Sequence, residues 1–273
     1  MSLLPDTFAV FILTHGRPDN VITYKTLQKC GYTGRLYFIV DDEDKHVAKY
    51  QENFGRERVI VFQKKAVADQ CDEGNNFDER RTILMARNAC FEIAPTLGVT
   101  HFMQLDDDYP RFVYRIIGVN QTIFFIKDLN RLIATMLKFF QCCQFRSLAM
   151  AQLGDFLGGI DNGNGAYRFS KRKCMNSFLC STERPFKFIG AMNEDVNTYT
   201  TLGSRGEMFM TIPPVAIDQK QTQGQSGGIT EMYKRFGTYC KAFTTVMMMP
   251  SSVKVSMMRS DNPRDRKSTR LNS

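Results

Sequence analysis

His101-Phe-Met-Gln-Leu-Asp-Asp-Asp-Tyr-Pro110 is the stretch on which the reading of this chain turns. An apolar run breaks into three consecutive carboxylates, Asp106, Asp107 and Asp108. Adjacent negative charges repel, and they are tolerated in water or beside a neutralising cation. The residues before them predict a buried strand over His101–Leu105, so the triplet falls at a strand's exit. Side chains alternate along an extended segment, which predicts Asp106 and Asp108 on one face and Asp107 pointing away. Two carboxylates on one face at a strand end suit a hard divalent cation bridging to a diphosphate, as in an Asp-X-Asp nucleotide-sugar site. An isolated triplet is more often a solvated acidic turn. The surrounding pattern changes that balance.

Upstream, Phe8–Leu13 is a continuous apolar run suited to a strand buried on both faces. Leu36–Val40 predicts a second strand ending at Asp41-Asp42, and Val59–Phe62 a third. Between them, Pro18 and Asp19 predict a helix running to Lys29 and stopped at Gly31, and Val47–Phe54 a further helix. Cys71–Asp78 reads as a loop. Glu79–Leu97 predicts a helix with an apolar stripe that includes Ile83, Leu84, Phe91 and Ile93. Strands alternating with helices argue for βαβ units and a mainly parallel sheet. Ligands of such sheets bind beyond the carboxyl ends of the strands. Thr14–Arg17, Asp41–Asp42 and Asp106–Asp108 each lie just past a strand's carboxyl end, and three polar clusters at equivalent positions outweigh one.

Downstream the pattern changes. Phe112–Ile117 and Thr122–Ile126 predict a strand pair, Lys127–Cys143 a helix and Leu148–Leu153 a strand. Gly154–Gly165 is rich in turn residues and Arg168–Lys173 is basic. Phe178–Cys180 and Phe186–Ile189 predict short strands. A helix over Asn193–Leu202 has Asn193 as its N-cap, Glu194 and Asp195 in the first turn and Gly203 as its stop. Met208–Ile212 predicts a strand ended by Pro213-Pro214. Gly224–Gly228 predicts a loop and Glu231–Phe243 a helix. With no repeat and no linker, one domain over residues 1–263 is the simplest account, with halves over 1–110 and 111–263.

The 273 residues are 43% hydrophobic and 12% aromatic, enough for one large α/β core; the 15 Met and 22 Phe read as packing. Asp265–Ser273 back-translates onto a common sequencing-adapter sequence and is set aside as an artefact, with the true C-terminus expected near Pro263. The net charge of +8 falls to +6 once the three cations and one anion of that stretch are removed. A basic chain favours a polyanionic partner. The eight cysteines form no Cys-X-X-Cys pair, and His15, His46 and His101 lack zinc spacing. Reduced thiols in a cytoplasmic protein are the expectation. The N-terminus lacks the features of a signal peptide, and the longest apolar runs are too short to cross a bilayer.

Thr14-His-Gly-Arg-Pro-Asp-Asn20, Val40-Asp41-Asp42, Ala86-Arg87-Asn88 and Leu105-Asp106-Asp107-Asp108 occur in the order seen in GT-A-type glycosyltransferases, which the chain resembles. Asn193-Glu194-Asp195 falls where inverting members carry an acidic catalytic motif. The Asp-Asp-Asp-Tyr segment and the Ile217–Gly228 run look like one branch, the TET-associated glycosyltransferases, found largely in bacteriophages and related to the base J glucosyltransferase. The resemblance implies a GT-A-like single α/β domain: a Rossmann-like, mainly parallel central sheet flanked by helices, with a mixed α/β acceptor-side region. It implies metal-dependent transfer of a sugar from a nucleotide diphosphate, with UDP expected, to a hydroxymethylated pyrimidine in DNA, in the host cytoplasm if phage-encoded. Asp106 and Asp108 would hold Mn2+ or Mg2+, directly or through water. Asp107 would contact ribose or sugar hydroxyls, and Asp41 or Asp42 the uracil N–H or the ribose. Thr14 belongs to the donor site. Arg17 and Arg87 would meet phosphate or fix the acidic cluster. Gln223 and Gln225, flanked by glycines, would close a loop over the donor. Asp195, with Glu194 second, would take the proton from the acceptor hydroxyl.

Each assignment has a plainer counterpart. Asp41–Asp44 also reads as an acidic helix cap, Arg87 as an ion pair at the core's edge, and Glu194 with Asp195 as macrodipole partners. No His follows residue 101, so a late metal-binding His is absent; a carboxylate such as Asp218, a Gln, water or a lost C-terminus would have to substitute. For the acceptor, Arg168, Lys171, Arg172 and Lys173 interleave with Tyr167 and Phe169, and Tyr233–Phe236 repeats the mixture. Such mixtures track phosphates while stacking on bases, and a base in a duplex would have to flip out. Singly, each cluster also reads as a solvated face. The competing functions are a nucleotidyltransferase, a DNA-binding module without catalysis, and transfer onto protein or glycan.

Overall fold

The computed structural model describes residues 3–74, 80, 82–116, 122–153, 174–219, 230–257 and 266–270. In chain order the elements begin with β1 (Phe8–Leu13), α1 (Ile22–Lys29), β2 (Arg35–Asp41), α2 (Val47–Phe54), β3 (Val59–Phe62), α3 (Lys64–Ala68), α4 (Leu84–Thr96) and β4 (His101–Asp106). There follow β5 (Arg111–Ile116), β6 (Thr122–Phe125), α5 (Leu129–Cys142), β7 (Ser147–Gln152), β8 (Phe178–Ser181), α6 (Glu194–Ser204), β9 (Phe209–Asp218), α7 (Thr230–Met248), β10 (Val253–Met257) and β11 (Arg266–Arg270).

Nine strands form one sheet in the order β3-β2-β1-β4-β8-β7-β9-β5-β6. The first four are mutually parallel. Only β8 and β5 run against the common direction, so the sheet is mostly parallel with its reversals confined to the second half. Every residue of β1 is buried. Val10 and Ile12 pack on one face with Phe38, Met103 and Leu105, beneath α5; Phe11 and Leu13 pack on the other with Ile39 and Phe102, beneath α4. Period-two alternation thus splits one apolar run between two cores, each buried side chain contributing roughly 1.5–3 kcal/mol. Parallel register sets Leu13 beside Asp106, which aligns the exits of β1 and β4.

Several boundaries differ from the sequence reading, and each difference has a local cause. The helix expected from Pro18 begins at Ile22. Residues 17–20 form a turn, closed by the Asn20 N–H donating to the Arg17 carbonyl, and held by Lys49 and Asn53 on Asp19 and by Asn53 on the Pro18 carbonyl. The helix expected from Glu79 begins at Leu84, whose N–H donates to the Thr82 hydroxyl. Phe186–Ile189 is not a strand: the Phe188 N–H goes to the Asn88 side chain (2.8 Å) and the Ile189 N–H to the Thr198 hydroxyl (3.1 Å). Pro213-Pro214 does not end β9. The register against β7 jumps from Met150↔Ile212 to Ala151↔Ala216, so both prolines sit in an irregularity where no ladder N–H is required. The last long helix reaches Met248 rather than Phe243. β10 and β11 pair antiparallel as a separate ribbon.

Candidate active site at the exits of the parallel strands

β4 ends at Asp106, and Asp107 and Asp108 lie in the turn beyond it. The alternation expected across the triplet therefore stops at its first member, and the three carboxylates fan out. Asp106 Oδ1 accepts from Arg87 Nη2 (2.9 Å). Asp107 accepts from the Thr14 hydroxyl (2.8 Å) and from Arg17 Nη1 (3.1 Å). Asp108 Oδ1 is buried with no hydrogen-bond partner among the described residues. Burial raises all three acids above the usual carboxylate range. Asp108 is pushed up to about 7, first by burial and then by the charges of Asp106 and Asp107.

The loop after β1 is pinned from three sides. Tyr50 of α2 meets the Thr14 hydroxyl (3.0 Å) and accepts from the Arg17 N–H (2.7 Å). The Gly16 N–H donates to Asp44 (2.6 Å) at a φ of 71°, a backbone conformation that favours glycine, and a Cβ there would meet open space. His15 Nδ1 lies 2.6 Å from Asp41 Oδ2, and Lys64 Nζ lies 3.3 Å from Asp41 Oδ1. Burial would raise Asp41, but His15 and Lys64 outweigh it and hold the carboxyl below its ordinary value. The bond to Asp41 raises the His15 pKa. Both Asp41 oxygens are thus engaged. Asp42 is exposed and accepts the Lys64 N–H (2.9 Å). None of these acids caps α2, whose N-cap is His46 without a side-chain bond; Asp44 accepts the His46 N–H just before the helix (2.8 Å).

Three residues of this network, His15, Tyr50 and Lys64, are not among the candidates the sequence singles out. Lys64 had a visible signal, since it follows the exit of β3 as the other clusters follow theirs. Tyr50 had none, because a helical aromatic reads as core.

Arg87 is 1% exposed. Besides Asp106, it donates through Nε to Glu194 (3.0 Å), and it lies over the rings of Phe178 (4.8 Å) and Phe188 (5.7 Å). Its Nη1 has no hydrogen-bond partner among the described residues. Of the two roles expected for Arg87, the geometry matches the tie within the acidic cluster: one guanidinium joins the exit of β4 to the start of α6. Asp195 is 7% exposed and its carboxylate accepts the Val196 N–H (2.7 Å). Its pKa is pushed up to about 6 by burial and by Glu194, against the lowering charges of Lys241 and Arg87.

Other candidates fare differently. Asn193 is not a side-chain cap; it holds a left-handed backbone (φ 62°) and its amide donates to Thr245 (2.8 Å). Asp218 pairs with Arg111 across β5 and β9, so its carboxylate is already engaged. Gln223, Gln225, Arg168, Lys171, Arg172 and Lys173 lie outside the described residues. Among the described residues no group of three or more His, Cys, Asp or Glu is arranged to hold a metal, and no helix is long and apolar enough to cross a membrane. The donor set still fits a hard cation. Asp106 and Asp108 supply carboxylate oxygens, Asp108 Oδ1 is unpartnered, and such cations complete their shell with water and phosphate.

Four parallel strands, an acidic triplet at the exit of β4 and a buried acid on a helix tied to that triplet place one polar site at the strand exits of a mostly parallel α/β sheet. A profile of the TET-Associated Glycosyltransferase family matches residues 8–228, and the chain belongs to that family. No curated protein is a significant match in sequence. Among solved structures, the chain is similar to glucosyl-3-phosphoglycerate synthase from Mycobacterium tuberculosis in complex with Mg2+ and UDP (9% identity, TM-score 0.48, covering 96% of this chain and 87% of that one). It is also similar to GalNAc-T7 with UDP, GalNAc and Mn2+ (11% identity, TM-score 0.43, 84% and 47%). A third is S. aureus TarS 1-349 (12% identity, TM-score 0.40, 77% and 59%).

Proposed function

We propose that this glycosyltransferase moves a sugar from a UDP donor to a hydroxymethylated pyrimidine base in DNA, with Mn2+ or Mg2+ held by Asp106 and Asp108. The observation that carries the site reading is the Arg87 bridge, because it ties Asp106 of the triplet to Glu194, the neighbour of Asp195. The bound cation would neutralise charge developing on the departing diphosphate. The chain's own residues do the rest. Thr14 and Arg17 hold Asp107 at the donor side, and His15 presents a half-exposed imidazole braced by Asp41. Asp195 accepts the proton of the acceptor hydroxyl as that oxygen bonds the anomeric carbon, and the bond from that carbon to the diphosphate breaks with its electrons leaving on the nucleoside diphosphate.

Family membership supports the DNA acceptor, and so does the basic chain with its mixed aromatic and cationic segments at 167–173 and 233–236. All eight cysteines are free, which suits a reducing cytoplasm.

The test is mass spectrometry of nucleosides after incubation with hydroxymethylcytosine or hydroxymethyluracil DNA, a panel of UDP-sugars and Mn2+. The expected result is a hexosylated nucleoside, lost in a folded Asp106→Ala, Asp108→Ala double variant. A nucleotidyl-sugar product would instead assign nucleotidyl transfer. Unchanged turnover in the double variant would remove the metal assignment.

A further inference from the structure

We infer that Thr245, on the C-terminal helix α7, is a positioning residue for the reaction: with Asn197 it holds Asn193 in the backbone conformation that sets the direction of Glu194 and Asp195. The inference rests on the reading of Asp195 as the base. It concerns a helix beyond the stretch matched by the family profile, which ends at residue 228.

Asn193 is one of two non-glycine residues with positive φ among the described residues, and it stands immediately before the two acids. L side chains rarely adopt that conformation, and asparagine pays least for it. Its side chain does not cap its own helix. Its amide Nδ2 donates to Thr245 Oγ1 (2.8 Å), and the Thr245 hydroxyl donates onward to Asn197 Oδ1 (2.7 Å). Asn197 Nδ2 then donates to the carbonyls of Met192 (2.9 Å) and Ile189 (3.2 Å). The hydroxyl's single proton goes to Asn197, so its lone pairs are what receive Asn193, and the direction of the relay is fixed. All three side chains are buried, Thr245 and Asn197 completely. A fully satisfied buried relay of this kind specifies one arrangement, because any slip strands a polar group away from water.

The surroundings hold the relay in place. Gly190 has a φ of 82°, and a Cβ there would collide with Asn197 Nδ2 and press on Met248 Cε at 3.3 Å. The glycine therefore lets the Asn197 amide and the last turn of α7 approach together. The same segment is tied to the first half of the chain, with the Gly190 N–H donating to the Asp72 backbone carbonyl (2.6 Å) and the Ala191 N–H to the Glu73 backbone carbonyl (2.8 Å). One turn before Thr245, Lys241 places its charge against Asp195. Helix α7 thus supplies the acids with both a strut and a counter-charge.

The experiment compares Thr245→Val, Thr245→Ser and Asp195→Asn in the full chain. Its readouts are steady-state kinetics with the donor and DNA that give product, and hydrogen exchange of the backbone amides over 193–197. Thr245→Val keeps the shape and removes the relay. The expected result is a fall in kcat on the order of 100-fold with the donor KM within about twofold, as for a misplaced catalytic group. Exchange over 193–197 should quicken while β1 and β4 stay protected, and Thr245→Ser should restore both readouts. Unchanged exchange over 193–197 in Thr245→Val overturns the inference, whatever the activity. So does kcat within twofold of the parent, or a serine variant no better than valine. If Thr245→Val does not fold, Thr245→Ser against Thr245→Ala supplies the same contrast. Full activity of Asp195→Asn would sink the base reading instead, leaving the exchange result to judge the strut alone.

Discussion

Two acidic clusters in this molecule look alike in sequence and differ in how their oxygens are satisfied. Asp41, Asp42 and Asp44 lie at the end of β2 and just beyond it; Asp106, Asp107 and Asp108 lie likewise at the end of β4. In the first, His15 and Lys64 share Asp41, the Lys64 N–H reaches Asp42, and two backbone N–H groups satisfy Asp44. In the second, Arg17 and Arg87 serve Asp107 and Asp106, and Asp108 is left with a bare buried oxygen. Asp41 is accordingly shifted down and the three acids after β4 are shifted up. The first cluster is complete as built and braces the loop after β1. The second leaves a buried carboxylate oxygen, Asp108 Oδ1, without a hydrogen-bond partner among the described residues.

The sharpest way to break that contrast is to remove the cation already inside the second cluster. Arg87→Met leaves Asp106 and Glu194 buried without their partner, and the expected loss is about 3–5 kcal/mol of stability by denaturant unfolding. Addition of Mn2+ should act in the opposite sense. At 100 times its dissociation constant it should stabilise the parent by roughly 2.7 kcal/mol and leave the Asp106→Ala, Asp108→Ala variant unmoved in a thermal melt. An equal gain in both proteins would place the ion elsewhere.

The two clusters should also respond to pH with opposite signs. Asp108 binds its proton more tightly folded than unfolded, so metal-free stability should fall as pH rises from near 4 through about 7. Asp108→Asn should remove much of that slope and raise stability at pH 8 by roughly 1–2 kcal/mol. Asp41 is shifted down, so its contribution is present above its unfolded value and is lost on acidification. Asp41→Asn should therefore destabilise at pH 7 by about 1–2 kcal/mol. The same sign of change for both variants would erase the distinction. The smallest expected effect is that of His15→Ala. It removes the more exposed partner of Asp41 and should cost about 0.5–1 kcal/mol, with a several-fold rise in donor KM.

Much of the first half was legible because β1 is buried on both faces and β2 and β4 largely so, and continuous apolar runs announce them. The strand exits, and with them the two acidic clusters, followed directly. The second half was less legible because its backbone groups find partners far along the chain. Phe186–Ile189 looks like a strand, yet its N–H groups are claimed by Asn88 and Thr198. Pro213-Pro214 looks like a stop, yet a register jump opposite Met150 absorbs it. Asn193 looks like a cap, yet a hydroxyl on α7 turns its side chain away.

The order of residues alone determined that carboxylates would gather at the ends of parallel strands, since burial of the apolar runs leaves the polar residues after them nowhere else to go. Only the tertiary structure decided which of those carboxylates are paired. Pairing depends on a few ångströms between groups from different elements, and in a poorly solvated site those distances govern the electrostatic free energy. Asp41 and Asp108 are the same residue type at comparable strand exits. Lys64 and His15 stand beside one, and two further aspartates crowd the other.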